Sequence, residues 1–210
     1  MSTDYDLTIE ILNEIRKEIG PKLYIAYQNI YNQVKEIVRE AIYNSVEYRA
    51  MLPGGAVYHE IGVPDIERRL LVIIDRIIDN INTEISDKGV VGDQLNFNFT
   101  INILKADYSD LLSLDEATYE TDTNRLGNTS ILPWLEWLLI SGSDDIVLNY
   151  HYVAKQSSYS RTDFGIMAKG GNWTLAPISG NIDDNFLTRA IHKAEPQIYK
   201  VIDRELTDAV

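Results

Sequence analysis

Apolar residues recur every three or four positions through the first eighty residues of the chain, then every second position, and this change of period organises the reading. Leu7, Ile11, Ile15 and Ile19 form one helical stripe, which Gly20-Pro21 is expected to end. Leu23, Tyr27, Ile30, Val34, Ile37 and Ala41 predict a long helix with a narrow apolar seam. The seam covers only three heptads, which suits packing on a sheet or a neighbouring subunit better than a coiled coil. Ser45-Val46-Glu47-Tyr48 caps a short turn before Pro53-Gly54-Gly55. Val63-Pro64-Asp65 then opens a helix that buries Ile66, Leu70, Ile73, Ile77 and Ile81. Asp87-Lys88-Gly89 and Gly92-Asp93 mark the break after it, and everything before them reads as helical.

Beyond the break, Leu95, Phe97, Phe99, Ile101 and Ile103 alternate with Asn96, Asn98, Thr100 and Asn102, as in a strand with one buried face and one wet face. The segment from Asp107 to Gly127 is acidic and poor in apolar residues after Leu114, and reads as a short turn followed by a long loop. Leu132 to Leu139 reads as a two-turn helix with Pro133 near its start, and Ile146 to Val153 as a strand. Gly165–Ala168 and Asn172–Leu175 read as two arms of a hairpin turning at Gly170-Gly171, where positive φ angles are easily reached. After Pro177 and Gly180, Asn181 to Asp184 offer capping oxygens and first-turn carboxylates to a helix beginning near Asn185. That helix buries Leu187, Ala190, Ile191, Ala194, Ile198, Val201 and Leu206, and Pro196 is expected to kink or restart it. The expected fold is α+β. A helical N-terminal part, 1–93, precedes an α+β part, 94–210, with a mostly antiparallel sheet of about four strands, a long C-terminal helix packed on it, and an acidic loop near 107–130.

Charge and composition narrow the partners. The net charge is −13, which opposes broad binding to nucleic-acid phosphates. It is unevenly spread: residues 94–150 carry nine acids and two bases, whereas the last sixty residues balance at seven of each. An acidic middle beside a neutral end suits a subunit with one repelling and one docking face, and solubility alone accounts for it equally well. Thirteen Tyr against four Phe favour semi-polar contact surfaces. With no cysteine, thiolate chemistry and disulfides are excluded. No apolar run is long enough to span a membrane, and the acidic N-terminus does not resemble a signal peptide, so synthesis in a cytoplasm is the expectation.

No motif for chemistry emerges. His59, His151 and His192 have no partner at a metal-ligand spacing, and each suits a structural or surface role. Nucleophile-elbow, Walker and dinucleotide-binding patterns are missing. Asp115-Glu116, Asp144-Asp145 and Asp183-Asp184 fit no EF-hand register and read as caps or solvated loops. Asn98, Asn128 and Asn172 begin formal glycosylation tripeptides with nothing to indicate secretion. No catalytic, cofactor or metal residue is therefore assigned. Trp134 and Trp137, three apart on a short helix, are either core or contact anchors. Arg161 and Arg189 are either interface arginines or members of ordinary intrachain pairs. Trp173 and Asn185 complete the set of interface candidates.

The stretch Ser160-Arg161-Thr162 through Arg189-Ala190, together with Leu132 to Leu139, resembles proteins of tailed-bacteriophage virions. The shared pattern is a W-L-E-W-L helix, an aromatic strand, S-R-T, an I-M-x-x-G-G-x-W hairpin and an N-F-x-T-R-A helix start. Val46-Glu47-Tyr48 and Gly62-Val63-Pro64-Asp65 resemble the upstream half, so the likeness covers about two thirds of the chain. Asp163 departs from it, standing where a small residue, usually Gly, is expected. The resemblance is to head–tail joining proteins of the tail-completion class. It implies a six- or twelve-fold ring of identical subunits in the neck, contacting connector, neck and tail-tube proteins. DNA would pass as cargo along an acidic channel wall, without a membrane or cofactor. A baseplate or other tail-associated subunit is one alternative. A small hydrolase or ligand-binding module using the acidic loop near Trp134 is another, from a different class.

Overall fold

The computed structural model describes residues 3–91, 94–122, 129–142, 144–175 and 178–210. Gly92-Asp93, the 123–128 part of the acidic segment with Asn128, and Pro177 lie outside the described residues. The fold is α+β, with a long N-terminal helix ahead of the strands and a long helix at the C-terminus.

Helix α1 spans Thr3–Tyr43 and does not stop at Gly20-Pro21. Pro21 removes one helical N–H and crowds the carbonyl of Lys17, at a cost of roughly 3 kcal/mol. Strong helix formers surround it, and Leu23 and Ala26 are buried just beyond, so burial carries the helix across the break. The seam at Leu23, Ile30, Val34 and Ile37 is buried as its spacing predicts. The first stripe differs, because Leu7, Ile11 and Ile15 are exposed. Helix α2, Val46–Met51, begins at Ser45, whose Oγ accepts the Tyr48 N–H at 3.1 Å. Helix α3, Tyr58–Ile61, ends at Gly62 in the left-handed region, φ 58°. Helix α4, Ile66–Asn80, buries the face its periodicity marks.

The largest correction to the helical reading follows α4. Asn82–Val91 is a strand, β1, paired antiparallel with β2, Gln94–Asn102, in the register Thr83↔Ile101 and Ile85↔Phe99. Asp87-Lys88-Gly89, read as a break, is a bulge within the ladder. There the Gly89 N–H donates to Asp87 Oδ1 at 2.8 Å, with Gly89 at φ 74°. Residue 93 thus falls between two paired strands, so it does not separate two parts.

The acidic segment is also more structured than a loop. Helix α5, Ser109–Leu112, and a 3₁₀ turn, Asp115–Ala117, lead into β3, Tyr119–Asp122, which pairs with β4, Thr129–Leu132. Tyr108, Leu111, Ala117 and Tyr119 are each buried. Arg69 fastens the turn by donating to the carbonyls of Thr118 at 2.6 Å and Glu116 at 3.1 Å. The next helical stretch is a single turn, α6, Trp134–Glu136, followed by a wider π turn, Trp137–Ser141. Strand β5 is Tyr150–Gln156, and its partner is β6, Phe164–Lys169. The expected hairpin is therefore re-paired. Its first arm joins β5, and of its second arm Trp173 alone forms a bridge, to Val147. Gly170 and Gly171 do take positive φ, 97° and 66°, as the turn after β6. Helix α7, Phe186–Ala209, runs through Pro196 as one element. The described strands form three separate antiparallel pairs, where the sequence suggests one sheet of about four.

Two compact units emerge. Unit 1 holds Met1–Val38, Asn80–Ile103 and Ala194–Val210; unit 2 holds Arg39–Asp79 and Leu104–Lys193. In unit 1, Leu23, Ala26 and Ala209 form a small core with Ile19, Ile85, Phe97 and Leu206 against it. Tyr27 supports it by donating to the Thr83 carbonyl at 2.8 Å and packing edge-on against Phe99. In unit 2 the buried side chains include Met51, Ile66, Leu70, Ile73, Ile77, Leu111, Trp134, Leu135 and Phe186. No helix among the described residues is long and apolar enough to cross a membrane.

Candidate functional site

Unit 2 contains a cleft of about 850 Å³ assembled from short segments. Helix α3 supplies His59 and Glu60, and its left-handed cap at Gly62 turns the chain away immediately afterwards. Strand β3 supplies Tyr119, the π turn Trp137, and β5 and β6 supply Tyr152, Gly165, Ile166 and Met167. Trp173 is held by its bridge, with its N–H donating to the Val147 carbonyl at 2.9 Å and its carbonyl accepting the Ile146 N–H at 2.9 Å.

The β5–β6 connection delivers Arg161. Backbone bonds from Ser160 to the Ser157 carbonyl, and from Asp163 to the Ser160 carbonyl, fold the loop back. Asp163 closes it at φ 61°, in the region that favours glycine. The Arg161 guanidinium then lies over the Tyr119 ring, 4.7 Å from its centroid. Gly165, at φ 105°, leaves room for Tyr152, because a Cβ there would run into the phenol ring.

Aromatic edges and desolvated polar groups dominate the walls. Trp137 and Trp173 pack edge to face, with centroids 6.2 Å apart. His59 lies between Tyr58 and Phe164, and its Nδ1 is buried with no hydrogen-bond partner. Burial raises the pKa of Glu60, opposed by the Trp173 indole N–H, which faces the carboxyl without closing a hydrogen bond of good geometry. Burial likewise raises the Tyr152 phenol, and the charge of Glu60 adds to the shift. Burial raises Tyr119 too, with Arg161 and Arg69 pulling it back. The cleft therefore holds one desolvated carboxyl, Glu60, beside the neutral Tyr152 phenol, and one guanidinium, Arg161, laid over Tyr119. Among the described residues, no group of three His, Cys, Asp or Glu side chains stands together as a metal site would require.

Three of the six interface candidates, Trp137, Arg161 and Trp173, meet in this cleft. The other three belong to the packing of unit 2. Trp134 is fully buried and donates its indole N–H to the Glu116 carbonyl at 2.7 Å, so it offers no surface to a partner or substrate. Asn185 is also fully buried. Its Oδ1 caps α7 by accepting the Leu187 and Thr188 N–H groups, and its Nδ2 donates to Tyr108 Oη at 2.7 Å. Arg189 makes intrachain pairs, at 3.0 Å to Glu47 and 3.0 Å to Asp184, and donates to the Ile178 carbonyl. Sequence reasoning missed Glu60, Tyr119 and Tyr152 and left His59 as an ordinary histidine. The only local trace is the stop at Gly62-Val63-Pro64 directly after His59-Glu60. Comparison with protein-family models, curated proteins and solved structures finds no match for this chain.

Proposed function

We propose that this chain is a structural, non-enzymatic subunit of a tailed-phage neck, a tail-completion-like ring protein that joins the portal and connector to the tail. The observation that carries the proposal is the uncovered stripe on α1. Leu7, Ile11 and Ile15 are 57%, 52% and 38% exposed and follow one another at four-residue spacing. Isolated exposed apolar side chains are ordinary, but an aligned row of branched ones on a helix is surface that assembly covers. Full burial of such side chains contributes roughly 1.5–3 kcal/mol each. Glu10, Glu14 and Glu18 lie among them along the same groove and restrict which surface can approach. The motif likeness at Ser160 to Ala190 supplies the particle, and the stripe supplies the reason for a neighbour. Exposed Asp107, Asp115 and Glu120 suit a channel wall that repels the DNA backbone.

Electron cryomicroscopy of the particle that contains this chain tests the reading. The expected result is a ring between connector and tail tube with the Leu7–Ile15 face at a subunit contact. Density in the baseplate, or a chain missing from purified particles, would overturn it. A ring with Asp107 and Asp115 on its outer wall would remove the channel role alone.

A further inference from the structure

We infer that the Glu60 side of the unit 2 cleft is a receptor for the basic side chain, arginine or lysine, of a partner protein. The inference stands apart from the neck reading, because it concerns what the cleft binds in whatever particle or complex the chain serves. Glu60 lines the cleft, and among the described residues no Lys or Arg pairs with it. A carboxylate held in a partly desolvated site without a counter-charge is costly, and a cation is the group that relieves the cost. The Trp173 N–H stands behind this carboxyl, 93% of the residue being out of solvent at 7% exposure, and it favours the charged form. A guanidinium or ammonium arriving from the cleft would give the carboxylate the charged donor that it lacks.

The walls favour the same occupant. Aromatic faces attract cations, and the cleft already shows this within the chain, where Arg161 covers Tyr119. Arg161 lies over Tyr119 and, among the described residues, makes no ion pair with Glu60, so the carboxylate is left for an incoming cation. Tyr119 is already covered by Arg161, whereas Tyr159, which also lines the cleft and is 94% exposed, leaves an open ring face for the incoming cation. An anion would meet Glu60.

The test uses the full chain, folded as judged by circular dichroism, and reads the Trp173 indole N–H resonance during titration with N-acetyl-L-arginine amide. Saturable displacement of that resonance is expected, with a dissociation constant on the order of millimolar for a single side chain. N-acetyl-L-citrulline amide, the uncharged isostere, should bind at least about tenfold more weakly, as should arginine amide to the Glu60→Gln variant. The citrulline arm needs no variant, so the outcome stands even if Glu60→Gln unfolds. Equal binding of arginine and citrulline amides, no displacement by arginine amide, or displacement by maltose in its place would each overturn the inference.

Discussion

Asn185 illustrates how one side chain holds several segments at once. Its carbonyl oxygen caps α7, and its amide reaches Tyr108 Oη, the Asn181 carbonyl at 3.1 Å and the Leu139 carbonyl at 3.3 Å. Thr188 completes a reciprocal cap, with its Oγ1 accepting the Asn185 N–H at 2.8 Å. Asn185→Ala removes the cap and takes the amide donor away from Tyr108 Oη and the Leu139 carbonyl in a buried site, and should cost about 2–4 kcal/mol in urea denaturation. Asn185→Asp keeps the capping oxygen but turns a carboxylate oxygen toward the Leu139 and Asn181 carbonyls in a fully buried site, so at neutral pH it should destabilise at least as much as alanine. The helix start near Asn185 was legible because capping chemistry is local. The downstream donors were not, because Tyr108 and Leu139 are distant in sequence. Asp163 behaves similarly. Nothing in its neighbours announces that it turns left-handed, at φ 61°, a backbone that glycine adopts more easily.

At the scale of elements, periodicity identified α4, the second half of α1, β2 and α7, and failed where a local signal opposed a distant one. Gly20-Pro21 is a strong stop signal, yet α1 passes through it because the residues beyond are anchored by burial. The proline still removes a hydrogen bond, so Pro21→Ala should stabilise the helix, by up to roughly 3 kcal/mol. Slower amide hydrogen exchange around Lys17 and Lys22 is the expected readout, and unchanged exchange would show that the helix has already absorbed the defect. Strand β1 failed in the other direction. Its sequence is polar and contains Asp87-Lys88-Gly89, so nothing local marks it as a strand. Pairing with the strongly alternating β2 makes it one, and the bulge takes up the turn-forming residues. Arg16 adds an ion pair to Asp87 at 2.6 Å, a contact that neighbouring residues do not announce.

For the molecule as a whole, acid stability has a definite sign. In unit 1, Glu205 accepts from Gln33 at 2.9 Å, Arg204 at 2.8 Å and Asn29 at 3.0 Å, and these donors hold its pKa down to about 2 from an ordinary 4.5. A depressed carboxyl contributes stability in full above its unfolded value and loses it as the pH falls through the folded value. The loss attached to Glu205 should therefore fall between about pH 4.5 and 2. Asp87 adds to it with the same sign, since Arg16 and the Gly89 N–H outweigh its burial and lower its pKa. Glu205→Gln should flatten the urea midpoint across that interval, and an unchanged slope would count against the assignment. The helices, the alternating strand and the capped start of α7 were written locally, because spacing and capping act over a few residues. Strand pairing, the two interleaved units and the cleft were settled only by the tertiary fold. Glu60, Tyr119, Tyr152 and Trp173 come from four separate segments, and no run of neighbouring residues encodes a site that exists only after those segments meet.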